Sequence, residues 1–400
     1  MKKLVAVLCA AAMVFSLVAC AGDTSQSNND EQPAAGTNAT ESESNGEEIV
    51  IGCLQDITGA TSTLGKMVEA GAKWHIDEIN ANGGIDGKQI RMITYDTKGD
   101  VNEAITSFTR AVTADNVSAI IGPPVANIAL AVAPISEEYD VPLLGFAVDP
   151  NAHVQSDGTP YKNMFGFQPS APSQAKIIAD YAVQESGYET FGVIYNEANA
   201  YSLSFLDSFS ETVEANGGVV EEMVSFSAND KDFKTILGKL ISADVDAIYS
   251  PNYTQELILI VQQARALGFE GALICGLDAN PPFNTLLGES ADNIYYINNF
   301  DNTADNMIEM LDAIKEETGI EATNKFFIGY DAVGALAQVI SEHGSDPVAI
   351  RDGVESLENY PGLTGNITID PTTHMPTGLE MALFTYDDIT PRMLGYFAAE

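Results

Sequence analysis

Positively charged residues are scarce in this chain. Its 400 residues include 18 Lys and Arg against 57 Asp and Glu, which gives a formal net charge of -39 at pH 7. So acidic a surface repels the phosphates of nucleic acids and the headgroups of anionic lipids. We therefore expect no nucleic acid and no anionic lipid surface among the partners of the folded region. The acidity is otherwise typical of a very soluble protein.

Cysteine is also rare. The chain has four cysteines, of which Cys9 and Cys20 belong to the N-terminal segment. The other two, Cys53 and Cys275, are far apart in the sequence and each lies inside an apolar run. Both are predicted to be buried strand residues with free thiols. A disulfide between them is the alternative that an exported chain leaves open.

Motifs for catalysis and for metal binding are missing. No Gly-x-Ser-x-Gly elbow occurs, so an esterase-like triad has no anchor. The segment from Gly59 to Lys66 has one residue too many for a phosphate-binding loop. The histidines lie far from one another and from cysteine, which argues against a metal site; they are His75, His153, His343 and His374. We therefore expect no cofactor, no metal and no enzymatic activity.

The first twenty residues have the pattern of an export signal. Lys2 and Lys3 precede an apolar run over residues 4–19, which is too short to span a membrane comfortably. The run closes with Leu17-Val18-Ala19-Cys20, which resembles the lipobox of bacterial lipoproteins. That resemblance implies a signal peptide over residues 1–19, cleavage before Cys20 and acylation of Cys20. The alternative is an ordinary cleaved signal followed by an incidental cysteine.

The segment after Cys20 is predicted to be a disordered linker that ends at residue 48. Residues 21–48 contain one proline and no aromatic or branched aliphatic residue, so they cannot bury enough apolar surface to fold. A flexible coil of this length spans roughly 30 Å from end to end. Such a linker would hold a folded region near the membrane while keeping it clear of the lipid headgroups.

From residue 49 onwards, short β-rich runs alternate with helical patterns. Strands are predicted at residues 49–54, 89–95, 118–122, 142–145, 190–195, 219–226, 247–250, 272–275, 293–297, 365–370 and 381–386. Helices are predicted at 64–82, 101–115, 127–139, 173–186, 201–216, 232–241, 255–267, 306–318, 326–343 and 348–357. This alternation indicates βαβ units in parallel sheets covered by helices on both faces. It begins afresh after residue 166, so two α/β lobes of similar plan are expected.

An ordered set of short motifs resembles a known family. The set begins with Ile49-Val50-Ile51-Gly52, Thr58-Gly59, the run from Ile79 to Gly87, and Tyr95-Asp96. It continues with Ile121-Gly122-Pro123, the run from Ala131 to Ile135, Val141-Pro142, the run from Gln263 to Gly268, and the run from Gly329 to Ala332. The set is similar to type I periplasmic-binding-protein-like receptors, specifically the leucine/isoleucine/valine-binding proteins of branched-chain amino-acid ABC importers. The match covers nearly all of residues 48–390.

The resemblance implies how the chain is divided. It predicts two doubly wound parallel-sheet α/β lobes joined by three crossover strands, with crossings near residues 168, 299 and 364. Lobe one would cover residues 49–167 and be completed by 299–363. Lobe two would cover residues 168–298 and be completed by 364–400. The ligand cleft would lie between the lobes, outside the carboxyl ends of the strands.

Three lobe-two residues match positions where the family binds its ligand. Asp278 follows a predicted strand where the family commonly places the acidic partner of the substrate's ammonium group, and a desolvated ammonium needs a charged acceptor. Tyr201 and Tyr253 fall where the family uses tyrosine to cover the ligand. A turn-forming Asp and partly buried rings are the alternative interpretation of the same residues.

Lobe one departs from the family pattern. Ala126 stands where the family usually has a serine and is followed by Asn127, which could replace the hydroxyl in part. The turn that contains Ala147 ends in Asp149 instead of threonine, and Leu64 replaces a common tyrosine. An extra Asp near the ligand would attract an amine or another cationic centre. We therefore expect such a ligand, with leucine, isoleucine and valine as moderate binders at best.

The sequence thus predicts an extracytoplasmic receptor of an ABC importer. It would act as a monomer, bind a small solute such as an amino acid or a related amine, and deliver it to an ABC permease. The lipid anchor would be its contact with the membrane, most typically in a Gram-positive envelope. Two alternatives remain open: a ligand sensor with the same fold, and, more remotely, a hydrolase on a two-lobed scaffold.

Overall fold

Two open sheets organise residues 48–398, which are the residues that this computed structural model describes. The predicted signal peptide, Cys20 and residues 21–47 of the predicted linker lie outside the described residues. The first sheet is wholly parallel and has the strand order β2-β1-β3-β4-β5. Its strands are β1 (Ile49–Gln55), β2 (Ile90–Asp96), β3 (Ala119–Ile121), β4 (Leu143–Gly145) and β5 (Met164–Gly166).

The second sheet repeats this plan and adds two antiparallel strands. Its order is β7-β6-β8-β9-β10-β14-β15, and the first five of these are parallel. The strands are β6 (Thr190–Asn196), β7 (Val219–Phe226), β8 (Ala247–Ser250), β9 (Ala272–Cys275), β10 (Ile294–Asn298), β14 (Glu380–Asp387) and β15 (Thr390–Ala398). In each sheet the strand order reverses beside the first strand, which creates a crevice at the carboxyl ends of the strands. The predicted α/β class with doubly wound parallel sheets is confirmed.

Helices connect the strands along most of the chain. Those of the first sheet are α1 (Ser62–Ala81), α2 (Val101–Thr113) and α3 (Ala126–Ser136). Those of the second sheet are α4 (Ala171–Asp180), α5 (Ala200–Leu203), α6 (Leu206–Ala215), α7 (Lys234–Ser242), α8 (Thr254–Ala266) and α9 (Phe283–Leu287). Three helices follow β10: α10 (Asp305–Thr318), α11 (Asn324–His343) and α12 (Pro347–Glu355). A small antiparallel sheet then contains β11 (Tyr360–Gly362), β12 (Gly365–Ile369) and β13 (Pro376–Thr377).

Helix α11 packs closely against α1. A Cβ atom on Gly71 of α1 would collide with the carbonyl oxygen of Phe326, and one on Gly329 of α11 would collide with that of Val68. These two glycines therefore let the helix backbones approach more closely than side chains would allow. Ile328 of α11 shares its hydrophobic core with Ile49 of β1. The close packing fixes the first turn of α11 beside the first sheet.

Between Leu379 and Met381 the chain leaves the hydrophobic core of the first sheet for the last time and enters a core of the second sheet. Ile367 and Leu379 belong to the core of the first sheet, whereas Met381 and Leu383 belong to a core of the second. This passage comes about fifteen residues after the position near 364 that the resemblance implies. The small β11–β13 sheet accounts for the difference, because Ile367 and Ile369 of β12 still pack beneath the first sheet.

Other predicted elements differ in detail. The predicted helix over residues 201–216 is divided into α5 and α6 by a turn at Ser204 and Phe205, where the Phe205 side chain is fully buried. The strands β5, β11, β13 and β15 and the short helix α9 have no counterpart among the predicted elements. Cys53 and Cys275 are buried in different sheets with free thiols, as predicted. Burial raises the pKa of Cys275 to about 12 and that of Cys53 further still.

Residues 48–398 contain neither a helix that could span a membrane nor a metal-binding cluster. None of the helices between residues 48 and 398 is both long enough and apolar enough to cross a membrane. Over the same residues, no cluster of three or more His, Cys, Asp or Glu side chains could hold a metal ion.

Candidate functional site

A small cavity, called the inner cavity below, lies where loops of the first sheet face loops of the second. It has about 370 Å³ of space free of atoms, part of which is open to solvent. Its wall contains six of the eight predicted ligand residues: Leu64, Ala126, Ala147, Tyr201, Tyr253 and Asp278. These residues follow the carboxyl ends of strands, or lie in the helices that begin there, as expected for open parallel sheets.

The carboxylate of Asp278 is held by two hydroxyl groups. Asp278 lies in a short 3₁₀ turn, Leu277–Ala279, directly after β9, and it is buried. The Tyr201 hydroxyl donates to Oδ2 at 3.0 Å, and the Thr254 hydroxyl shares its proton between the backbone carbonyl oxygen of Asp278 at 3.0 Å and Oδ1 at 3.3 Å. Burial, together with the neighbouring Asp278 charge, raises the pKa of Tyr201 well above its usual range. Tyr201 therefore stays protonated and acts as a donor to the carboxylate.

Tyr253 stacks on Tyr201 and completes an aromatic wall. The two ring centroids are 4.6 Å apart and the ring planes differ by 17°. The buried hydroxyl of Tyr253 faces the backbone amide of Ala126 without forming a hydrogen bond of ordinary geometry. Burial, followed by the charge of Asp278, raises the pKa of Tyr253, so the hydroxyl remains available to a solute as a donor and as an acceptor.

Gln168 contributes an unpaired acceptor that sequence reasoning missed. It is 4% exposed, lies between β5 and α4, and lines the inner cavity. Its Nε2 donates to the carbonyl oxygen of Phe146 at 3.0 Å, while its Oε1 is buried without a hydrogen-bond partner. An acceptor left free in a cavity wall can receive a hydrogen bond from a solute.

Lys325 is the second residue that sequence reasoning missed. It lies in the first turn of α11, and its Nζ is 3.9 Å from Oδ1 of Asp278. The Lys325 side chain is 13% exposed and that of Asp278 5% exposed. Among the described residues of the inner cavity wall, these two are the only charged ones. The site therefore presents one carboxylate and one ammonium group side by side.

Asn127 does not line the inner cavity, contrary to our expectation. It is the second residue of α3, and its side chain is exposed and bridges the two sheets. Its Oδ1 accepts from the backbone N–H of Ala200 at 2.8 Å, and its Nδ2 donates to the carbonyl oxygen of Ala198 at 3.2 Å. The Asn127 amide is thus occupied by the backbone that follows β6 and is not free to replace a missing hydroxyl.

Asp149 is not among the residues of the cavity wall either, whereas the sequence predicts that it faces the cleft. Its Oδ1 accepts from the backbone N–H and from the Nδ2 of Asn151, both at 2.9 Å. Asp149 thereby caps the short 3₁₀ turn Pro150–Ala152. Local capping occupies Oδ1 of this carboxylate, and the neighbouring Ala147 and Val148 contribute to the cavity wall.

A larger outer cavity adjoins the inner one. It has about 1100 Å³ of space free of atoms, again partly open to solvent. The two cavities share Leu64, Tyr253, Leu277, Asp278 and Lys325. Apolar side chains add to the wall of the outer cavity; these include Met67, Ile258, Phe283 and Leu286. The charged pair of the site therefore lies between a small inner space and a wider, mostly apolar one.

Comparison with known proteins assigns this chain to a family. The profile of a family described as periplasmic binding protein matches residues 48–388. The Leu/Ile/Val-binding protein BraC3 of Rhizobium johnstonii is 25% identical, over 85% of this chain and 92% of that protein. The leucine-, isoleucine-, valine-, threonine- and alanine-binding protein of Pseudomonas aeruginosa is 24% identical, over 81% and 86%.

Solved structures agree with this assignment. The branched-chain amino acid transporter substrate-binding protein LivJ of Streptococcus pneumoniae, in complex with isoleucine, has a TM-score of 0.78 at 27% identity, over 88% of this chain and 99% of that one. The leucine-binding protein LivK of Thermotoga maritima has a TM-score of 0.78 at 25% identity, with the same coverage. These relatives are binding proteins and not enzymes. This chain belongs to the type I periplasmic binding proteins and is homologous to the Leu/Ile/Val-binding proteins, as its sequence motifs predict.

Proposed function

We propose that this protein is the extracytoplasmic solute receptor of an ABC importer and that it binds an amino acid or a related small amine in the inner cavity. Residues 49–167 and 299–363 would act as one lobe, and residues 168–298 and 364–400 as the other, except that the β11–β13 strands move with the first. Closure of the lobes about the solute would create the surface that an ABC permease recognises. The receptor would act as a monomer.

The observation that carries this proposal is the buried carboxylate of Asp278 in the cavity wall. A buried carboxylate attracts a cationic group strongly, because little water competes for it. Tyr201 and Thr254 orient the carboxylate, and the unpaired Oε1 of Gln168 offers a second acceptor in the same wall. An ammonium group with its three donors fits such a pair of acceptors.

Solute binding can be tested by screening a panel of candidate solutes. Protein purified without added solute would be analysed by native mass spectrometry, and its melting temperature would be measured with each proteinogenic amino acid and with simple amines. We expect a retained solute that contains an amine, and a rise in melting temperature with that solute. The proposal fails if the wild-type protein retains none of these compounds and none of them stabilises it.

We further propose that Cys20 carries the lipid that tethers the receptor to the cell membrane, with residues 21–48 as the linker. This proposal rests on the Leu17-Val18-Ala19-Cys20 motif. A Cys20→Ala variant should appear in the soluble fraction when expressed in a Gram-positive host, while the wild type should sediment with membranes. A variant that still sediments with membranes would remove the basis for the anchor.

A further inference from the structure

Lys325 occupies an unusual position for a buried lysine. It lies in the first turn of α11, where the helix dipole disfavours a cation, and its side chain is directed into the wall shared by the two cavities. Its Nζ lies 3.9 Å from Oδ1 of Asp278, which is too long for a hydrogen bond. The ammonium group thus neutralises a buried charge without using its donors on that carboxylate.

The charges of the inner cavity constrain the charge of the solute. Asp278 and Lys325 cancel each other, and the rest of the described wall is uncharged. A solute with a lone cationic group would leave the buried site with one excess positive charge. A buried charge without a partner is strongly unfavourable. A solute that also carries an anionic group keeps the site neutral, because each of its charges faces one of the two side chains.

The part of the inner cavity wall that the first sheet contributes, which faces Asp278, provides no side-chain hydroxyl for an anionic group. The first sheet's loops and helices contribute Leu64, Pro124, Ala126, Phe146, Ala147 and Val148 to this wall, none of which carries a hydroxyl. The side chain of Asn127 is engaged between the sheets. The start of α3 also has no side-chain cap, so Lys325 is the charged donor that the cavity offers to an anion. In the outer cavity the further charged residue is Glu256, a carboxylate that would repel an anion.

We propose that Lys325 is a specificity-determining residue that binds a carboxylate of the solute, so that solutes with a cationic group alone are excluded. This inference rests on the proposed function and narrows it, because the solute must carry an acid in addition to its amine. In the complex, the solute's carboxylate lies at Lys325 Nζ and its ammonium at Asp278, with the apolar remainder directed towards residues such as Leu64 and Leu277.

The test compares each proteinogenic L-amino acid with its C-terminal amide, which keeps the amine and lacks the carboxylate. Affinities are measured by calorimetry for the wild type, Lys325→Met and Lys325→Arg. Lys234→Met is the matched control, because Lys234 is an exposed lysine in the first turn of α7. The wild type should prefer the acid to the amide by about 10- to 100-fold, as expected for a charge-assisted hydrogen bond. Lys325→Met should reduce this preference to about threefold or less, while Lys325→Arg and Lys234→Met should retain it.

The outcomes separate this inference from the proposed function. Lys325→Met alone leaves the Asp278 charge uncompensated and favours the cationic amide in either case, so the decisive variant combines Lys325→Met with Asp278→Asn, which makes the described cavity wall uncharged. If Lys325 served only to neutralise Asp278, this double variant would keep the wild-type preference for the acid. That result, or a wild type that binds amides as tightly as acids, overturns the assignment of Lys325 and leaves the receptor function standing. A wild type that binds neither acids nor amides contradicts the proposed function itself.

Discussion

At the scale of single residues, the site depends on how a buried carboxylate is supported. Asp278 receives hydrogen bonds from Tyr201 and Thr254, and its nearest cation, Lys325, stays beyond hydrogen-bond distance. Hydroxyl donors orient a carboxylate without neutralising it. Asp278 therefore offers an oriented carboxylate to an incoming ammonium group, with the Lys325 ammonium close by, and Tyr201, whose pKa is raised by burial, does not compete by ionising.

Replacing Asp278 by Asn should abolish tight binding of the solute. The variant keeps the size of the side chain but removes its charge, so an ammonium group would be buried against a neutral amide and beside Lys325. We expect a loss of about 2–5 kcal/mol in binding free energy, measured by calorimetry with the solute identified for the wild type. Asp207→Asn, on the exposed side of α6, is the control. Equal affinities of the wild type and Asp278→Asn would exclude Asp278 as the partner of the amine.

The residues of the site were predictable to different degrees. Asp278, Tyr201 and Tyr253 follow strands or begin helices, and such positions meet at one edge of a parallel sheet. Lys325 could not be found this way, since helical periodicity does not tell which turn of a late helix reaches the cleft. Asp149 was misplaced although its sequence carried a signal, because Asp followed by Pro150 and Asn151 is a capping pattern.

At the scale of elements, the N-terminal end of α3 joins the two sheets. Asn127 makes two hydrogen bonds to the backbone around Ala198 and Ala200, directly after β6. Since its side chain is exposed, each hydrogen bond contributes modestly to stability, about 0.5–1.5 kcal/mol. These two hydrogen bonds form only while the two sheets are close together. They therefore stabilise the closed arrangement of the lobes and do not stabilise the fold of either sheet.

Asn127→Ala should therefore weaken solute binding mainly through faster release. Loss of the bridge would destabilise the closed arrangement, and we expect a rise in the dissociation rate of up to about tenfold. The melting temperature without solute should change little. Stopped-flow dissociation measures the first quantity and calorimetric melting the second. Asn102→Ala, an exposed residue of α2, should alter neither. An unchanged dissociation rate in Asn127→Ala would show that the bridge does not contribute to closure.

The order and type of the elements were largely predictable, and several bounds agree with the structure to the residue. Strands β7, β8 and β9 match the prediction because each is bounded by turn residues or by polar residues. Strand β15 was missed because it contains Pro391 and Gly395 and shows no clear alternation. Strand β5 has only three residues, Met164–Gly166, and its pairing with β4 comes from tertiary structure.

At the scale of the whole molecule, two buried histidines couple stability to pH. The ring of His153 lies with Nε2 at 2.9 Å from the carbonyl oxygen of Ala147, under the cavity wall. His374 stacks on Phe165 with centroids 4.3 Å apart, and its Nδ1 is 3.0 Å from the carbonyl oxygen of Tyr161. Burial lowers the pKa of both imidazoles in the folded protein.

Acidification should therefore destabilise the fold. Below the unfolded-state pKa of about 6.5, the unfolded chain takes up protons that the folded protein does not, so the free energy of unfolding falls. Each histidine contributes a slope of at most about 1.4 kcal/mol per pH unit. Denaturant unfolding between pH 7 and 5 should show this slope, and His153→Gln and His374→Gln should each reduce it. His343→Gln is the control and should leave the slope unchanged, because His343 is exposed at the end of α11.

The histidine variants are needed because two carboxylates, the buried Asp331 and the half-buried Glu256, also titrate with shifted pKa values. Burial raises the pKa of Asp331 and of Glu256, so their contribution to stability decreases as the pH rises, opposite in sign to that of the histidines. The wild-type slope is the sum of both effects. Slopes that do not change in either histidine variant would show that the buried imidazoles do not govern the acid response.

Closure around a solute is the motion that these contacts imply. The inner cavity is narrow, Asn127 joins the two sheets, and Tyr253 approaches Ala126 from the opposite side. A solute must enter before such contacts form, so we expect the empty protein in solution to be more open and bound solute to reduce its radius of gyration in small-angle scattering. By mass action, solute at 100 times its dissociation constant should also stabilise the fold by about 2.7 kcal/mol. Asp278→Asn should show neither effect at the same solute concentration. A solute that binds tightly without changing the scattering curve would mean that the site fills without closure, and the bridge at Asn127 would then be a permanent link between the sheets.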